Sequence, residues 1–111
     1  MTEVSKELEE KIEQLHMLEQ SIHGIMQQQQ QAKMQLDEIK NAQEELEKTT
    51  EKPFRIIGNV MVQTDKTKLS SELKEKQEIL DLRLKTLEKQ GSQTQKKAKE
   101  IQERLMNQLQ K

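Results

Sequence analysis

Two long stretches of the chain, residues 3–48 and 66–110, contain no proline and repeat apolar residues in steps of three and four. Both are rich in Glu, Gln, Leu and Lys, which favour the α-helix, and such steps place apolar residues on one helix face. A narrow apolar stripe of this kind is typical of a coiled coil, in which the stripe packs against another helix. The sequence therefore predicts two long helices that each require a partner.

The apolar stripes can be written as heptads, with the core positions named a and d. Nine of the twelve core positions are apolar in the first helix and seven of twelve in the second, where Leu69, Ile79 and Leu82 flank the stripe. In the first helix the a positions are Leu8, Leu15, Ile22, Gln29, Leu36 and Gln43, and the d positions are Lys11, Leu18, Ile25, Ala32, Ile39 and Leu46. In the second helix the a positions are Ser70, Gln77, Leu84, Gly91, Ala98 and Leu105, and the d positions are Leu73, Leu80, Leu87, Thr94, Ile101 and Gln108.

The two halves of the chain carry opposite charge, which favours pairing of one helix with the other. Residues 1–51 hold 12 acidic and 5 basic residues, and residues 52–111 hold 8 acidic and 14 basic residues. We expect the helices to fold back on each other antiparallel, although each exposed charge pair contributes little. Folding about Gly58 makes the numbers of facing residues sum to about 113. The predicted neighbours are Leu8 and Leu105, Ile12 and Ile101, Leu15 and Ala98, and Ile22 and Gly91.

Composition excludes several classes of protein. A length of 111 residues allows one domain, which we expect over residues 1–111. Only 31% of these residues are hydrophobic, against ~45–50% in an ordinary globular domain, so we expect no conventional core. The absence of Cys excludes disulfides and thiol catalysis, and a net charge of −1 argues against a nucleic-acid binder. The acidic N-terminus does not resemble a secretory signal, and no apolar run is long enough to span a membrane. These features predict a soluble, intracellular protein without a cofactor.

A short segment between the helices differs from both. Residues 54–57 and 60–63 hold the only Phe and the densest β-branched cluster, and Gly58-Asn59 separates them. A two-residue loop that begins with Gly suits a type II′ turn, because Gly accepts positive φ. The sequence predicts helix 3–48, a β-hairpin within 54–64 and helix 66–110.

The predicted hairpin is apolar on both faces, with Ile57, Val60 and Val62 on one and Phe54, Ile56 and Met61 on the other. An isolated two-stranded hairpin is marginal in water, and exposed strand edges recruit further strands. We therefore expect these six residues to assemble several chains into a larger sheet or barrel. The alternative is a hairpin that packs against its own helices.

The order of these elements and their residues resemble the β class of prefoldin subunits. The resemblance covers essentially the whole chain and is most specific in Gly58-Asn59-Val60-Met61-Val62, followed by Glu72-Leu73-Lys74-Glu75-Lys76. It implies a mainly α fold, in which two antiparallel coiled-coil helices are joined by a hairpin that enters an oligomeric β-barrel. It further implies a cytoplasmic hetero-hexamer of two α-class and four β-class subunits. Such a complex would hold unfolded polypeptides at the ends of its coiled coils, without ATP, and pass them to a group II chaperonin.

Apolar residues near both termini are the candidates for holding an unfolded client protein. Helix ends fray and can expose apolar side chains, although the same residues can also simply close the coiled coil. The candidates are Val4, Leu8, Ile12, Leu105, Met106 and Leu109. The basic cluster of Lys96, Lys97 and Lys99 is either a solvated face opposite the acidic first helix or a contact with an acidic chaperonin surface.

Other chemistry has little support in the sequence. His16 and His23 lie ~10.5 Å apart on one helix face, which is too far for one metal ion, and no nucleophile–base set or phosphate loop is present. We therefore expect neither an enzyme nor a metal site. The competing hypothesis is a structural coiled-coil scaffold or tether, which has no use for an apolar hairpin between two matched helices.

Overall fold

Two long helices and one hairpin form the structure, a computed structural model that describes the backbone of residues 2–110 and the side chains of residues 6–110. Helix α1 spans Thr2–Lys48, strand β1 Phe54–Ile57, strand β2 Val60–Gln63 and helix α2 Lys66–Gln110. The mainly helical fold with an antiparallel hairpin between two helices is thereby confirmed.

Burial along the helices follows the predicted heptad frame. Every a and d position of α1 from Leu8 to Leu46 is buried or half-buried, whereas nearly all its other described residues are exposed. In α2 the frame holds at eleven of twelve positions. The exception is Ser70, which is exposed while its apolar neighbour Leu69 is half-buried. The assignment of Ser70 to the core was therefore wrong, because the more apolar Leu69 occupies the covered face in the first turns of α2.

The chain divides into two compact units, and the first consists of residues 1–30 and 85–111. Its most buried side chains are Leu87, Ala98 and Leu105, all on core positions of α2. A Cβ placed on Gly91 would lie 3.5 Å from Cγ2 of Ile25. The predicted neighbour was Ile22, so the register expected from the sequence was wrong by at least one core position. A shift from an a to a d position leaves the apolar pattern nearly unchanged, so the pattern alone does not fix the register.

The second unit, residues 31–84, contains the hairpin and the adjoining parts of both helices. Ala32, Leu36 and Leu46 are its buried residues, all on core positions of α1. The core also has a polar layer, in which the side-chain amide of Gln43 donates a hydrogen bond of 3.1 Å to Oε1 of Gln77.

The hairpin has the predicted register and turn. Ile57 pairs with Val60 and Ile56 with Met61. Gly58 has a φ of 61°, and no residue other than glycine in the described chain has positive φ. Positive φ at the first loop residue alone is the type II′ pattern. A hydrogen bond of 3.0 Å from the Thr64 N–H to the Pro53 carbonyl adds one rung beyond the strands.

Hydrogen bonds to backbone carbonyl groups cap the helix ends at the junction between α1 and α2. The ammonium of Lys66 donates hydrogen bonds to the carbonyls of Glu47 and Thr49, at 3.4 and 3.1 Å. These carbonyls lie at the end of α1, where no further helical N–H groups are available. The Asp65 carbonyl accepts the Leu69 N–H at 2.9 Å, which places Asp65 at the N-cap of α2. The first residue of α2 thus ties it to the end of α1.

Candidate functional site

The hairpin presents an apolar surface, because strand alternation sends three large apolar side chains to each of its faces. Their exposed fractions range from 45% for Val62 to 70% for Ile56. The set consists of Phe54, Ile56, Ile57, Val60, Met61 and Val62. These are the residues predicted to drive oligomerisation, and within the single chain the helices leave all six largely exposed. A small sheet with two apolar faces and open edges has the properties of an assembly surface.

One ion pair connects the hairpin to α2. A terminal nitrogen of Arg55 lies 2.8 Å from Oε1 and 2.7 Å from Oε2 of Glu72. The two side chains are 41% and 30% exposed, so solvent partly screens the pair. It is the one ion pair within 4.0 Å among the side chains of residues 6–110.

The candidate client-binding residues fall into three groups. Ile12, Met106 and Leu109 are exposed, at 58%, 54% and 70%. Leu8 is half-buried and Leu105 is buried, so both lie in the core of the coiled coil. The side chain of Val4 lies outside the described residues. The exposed group is therefore accessible without fraying, whereas Leu8 and Leu105 become available only if the helix ends separate.

The first unit also carries an open groove of ≈ 530 Å³ between its helical segments. Met17 and Leu18 of α1 and Ile101 of α2 supply its apolar lining. Lys97 and Arg104, seven residues apart on α2, supply positive charge, and Glu100 between them supplies a negative charge. Met17 is 62% exposed, and methionine adapts its shape to irregular apolar partners. The groove therefore combines an apolar lining with charged groups of both signs.

The basic cluster of Lys96, Lys97 and Lys99 is fully on the surface, since all three side chains are exposed. Lys97 borders the groove, and Lys99 and Met106, two helical turns apart on α2, line one surface depression. The cluster is accessible to an acidic partner.

Each of the two histidines contacts a glutamine of its own helix. His16 lies 3.5 Å from the amide nitrogen of Gln20, and His23 lies 3.3 Å from that of Gln27. Each contact joins exposed residues one helical turn apart. Across the part of the chain that the structure describes, no group of three His, Cys, Asp or Glu side chains could hold a metal ion. Within the same residues, no helix is long and apolar enough to cross a membrane.

Sequence reasoning missed the contacts made by charged and polar residues far apart in the chain. The Arg55–Glu72 pair, the Lys66 cap and the Gln43–Gln77 hydrogen bond each join residues at least 17 positions apart. A chain that is 35% charged offers many alternative partners for each of these groups. One signal was available for the glutamines, because both occupy a positions of the predicted heptads.

Comparisons with known proteins agree with this architecture. The sequence matches the profile of the family described as "Prefoldin subunit" over residues 9–111. Prefoldin subunit beta of Thermococcus onnurineus is 34% identical over 111 residues, which cover 98% of this chain and 96% of the relative. That of Pyrococcus furiosus is 33% identical and covers 95% and 92%. The crystal structure of the prefoldin beta subunit from Thermococcus strain KS-1 matches with a TM-score of 0.83 and 31% identity, over 91% of this chain and 90% of that one.

Proposed function

This chain belongs to the prefoldin subunit family, a family of chaperone subunits, and from that membership we propose that it is an ATP-independent holdase subunit. It acts as one domain over residues 1–111, without a cofactor and without enzymatic activity, in the cytoplasm. Its assembly partners are α-class subunits and further β-class copies, in a complex of two α and four β subunits.

The exposed hairpin is the observation that carries the proposal. Burial of a large apolar side chain contributes about 1.5–3 kcal/mol, and the hairpin leaves six such side chains at least 45% exposed. A scaffold or tether that works through its coiled coil alone would gain nothing from this surface and would risk aggregation. Pairing with the hairpins of other subunits would cover both the faces and the open edges.

Client binding is assigned to the end of the coiled coil that contains both termini. Met106 and Leu109 are exposed there on α2, and Ile12 is exposed on α1. Each offers only a small apolar contact, but several coiled coils of one complex acting on one unfolded chain gain avidity. Lys96, Lys97 and Lys99 lie on the same segment and form the proposed contact with an acidic surface of a group II chaperonin, to which the client is transferred.

The test mixes the full chain with an α-class prefoldin subunit and measures two properties: the mass of the complex by sedimentation, and suppression of aggregation of a denatured enzyme. The double substitution Met106→Ser with Leu109→Ser should leave the mass unchanged and weaken protection by at least about twofold, because avidity falls with each lost contact. The matched control is Ile79→Ser with Leu82→Ser, which removes two exposed apolar side chains from another part of α2.

The two properties separate the parts of the proposal. Full protection by the Met106 and Leu109 variant would remove these residues from the client site. A wild-type chain that stays monomeric, or that forms a simple parallel dimer beside the α-class subunit, would overturn the assignment and favour the tether.

A further inference from the structure

The Arg55–Glu72 ion pair gives the two faces of the hairpin different surroundings. Arg55 pairs with Val62 across the strands, and residues directly opposite each other point to the same face. Arg55 therefore shares its face with Ile57, Val60 and Val62. Since its guanidinium reaches Glu72 in the second turn of α2, this face is turned towards the helix.

The opposite face is turned away from α2. It carries Phe54, Ile56 and Met61, which are 56%, 70% and 66% exposed. Val62, directly across from Arg55, is the least exposed of the six apolar residues, at 45%. Ile57 and Val60, on the same face as Arg55, are 56% and 61% exposed, so only the part of that face next to the ion pair is more covered.

The hairpin connects to the two helices through short segments and through the side chain of Arg55. It is joined to α1 through residues 49–53 and to α2 through residues 64–65. The Thr64–Pro53 hydrogen bond extends the strand pairing but lies within the hairpin itself. Among the side-chain hydrogen bonds and ion pairs of the described residues, only the contact between Arg55 and Glu72 joins a strand residue to a helix residue.

We propose that Arg55 and Glu72 are positioning residues for assembly, whose ion pair turns the face of Phe54, Ile56 and Met61 towards the hairpins of the other subunits. This inference rests on the proposed function. The occupant follows from the hairpin's own chemistry, because an apolar face bounded by strands with unpaired backbone edges is complementary to another such hairpin. Pairing of Arg55 with Glu72 also neutralises the one charged side chain on the hairpin strands.

The pair acts mainly on assembly rather than on folding. A half-exposed ion pair contributes little to the stability of a single chain, and the coiled-coil core lies elsewhere, on the a and d positions. In a complex, every copy of this chain must present its hairpin correctly, so a small loss of orientation in each copy is multiplied. Loss of the pair should therefore weaken assembly much more than it weakens the helices.

The experiment compares Arg55→Glu, Glu72→Arg and the double variant that exchanges the two charges, each in the full chain mixed with an α-class subunit. Each single variant places like charges together and should raise the concentration needed for half-assembly by roughly five- to tenfold, whereas the exchange should restore it. Helix unfolding followed by circular dichroism should change little. Glu75→Arg is the matched control, because Glu75 is an exposed acid three residues further along α2.

A second measurement reads the orientation directly in the unassembled chain. Because the chain has no cysteine, spin labels attach only to the two introduced cysteines of a Met61→Cys, Ile79→Cys double variant. The label distance should have a narrow distribution in the wild-type background, a broad one in either single variant and a narrow one again after the exchange.

The outcomes separate this inference from the proposed function. If the wild type assembles and both single variants assemble equally well, the role of the ion pair is overturned. The holdase assignment then remains intact. Weaker assembly that the charge exchange fails to restore would also overturn it, because the charge of each residue rather than their pairing would then matter. A wild-type chain that does not assemble would overturn both.

Discussion

At the scale of single residues, two glycines of the chain have opposite roles. Gly58 adopts a φ of 61° at the first position of the hairpin turn, where a residue with a Cβ is strained by roughly 1–2 kcal/mol. Gly24 lies inside α1, and a Cβ added there would meet nothing within 4 Å. The turn requires glycine at position 58, whereas glycine at position 24 only lowers the stability of α1.

Replacement of Gly24 by Ala should therefore stabilise the protein. Ala is favoured over Gly in a helix interior by about 0.5–1 kcal/mol, which corresponds to a rise of roughly 4 °C in the midpoint of thermal unfolding. Circular dichroism of the helices during heating measures the midpoint. Gly58→Ala is the matched control and should weaken assembly without raising the midpoint. An unchanged or lower midpoint for Gly24→Ala would mean that position 24 needs its glycine for a bend.

The faces of the hairpin on which its exposed apolar residues lie could be predicted because these positions follow from local rules. Alternation along two strands and a glycine at the turn define which side chains share a face, and the observed register agrees. The partner of Arg55 could not be predicted in this way. The first part of α2 holds Glu72, Glu75 and Glu78, and the choice of Glu72 depends on the three-dimensional path of the two connectors.

At the scale of the helices, the polar layer of Gln43 and Gln77 interrupts an otherwise largely apolar core. The hydrogen bond of 3.1 Å between them is partly buried, so removal of one partner leaves the other amide poorly satisfied. Polar core residues of this kind can fix the register of a coiled coil at a cost in stability. The layer is therefore expected to hold this register against shifted ones.

The stability of four proteins tests the coupling of the two glutamines: the wild type, Gln43→Leu, Gln77→Leu and the double variant. Each single change should be neutral or destabilising, and the double change should be stabilising by about 1–2 kcal/mol, since two apolar residues then face each other. Chemical denaturation gives the free energy of unfolding of each. Additive effects, within about 0.5 kcal/mol, would show that the two amides act independently.

The core positions could be predicted from sequence, but the helix register could not. Every predicted core position of α1 is covered, because covering an apolar stripe needs only the heptad period. Register also depends on how the connectors at residues 49–53 and 64–65 place the helices. The contact between Gly91 and Ile25 is therefore a property of the folded chain and not of either heptad pattern.

At the scale of the whole molecule, helical segments of opposite charge are paired. In the first unit, residues 1–30 carry six acids and two bases, and residues 85–111 carry seven bases and three acids. Among the side chains of residues 6–110, no ion pair within 4.0 Å joins these two segments. Their attraction therefore acts over longer distances, which makes it sensitive to screening by dissolved salt.

Sodium chloride should for this reason destabilise the chain at low concentrations. An increase from about 0.01 M to about 0.15 M shortens the Debye length from about 30 Å to about 8 Å. We expect the midpoint of thermal unfolding to fall by roughly 4 °C, equivalent to about 1 kcal/mol. Lys96→Gln, Lys97→Gln and Lys99→Gln combined should lower the midpoint at low salt and flatten this dependence. The same change at Lys68, Lys74 and Lys76, which lie in the other unit, should preserve most of it. A midpoint of the wild type that is constant or rises over this range would show that the charge asymmetry does not stabilise the paired helices.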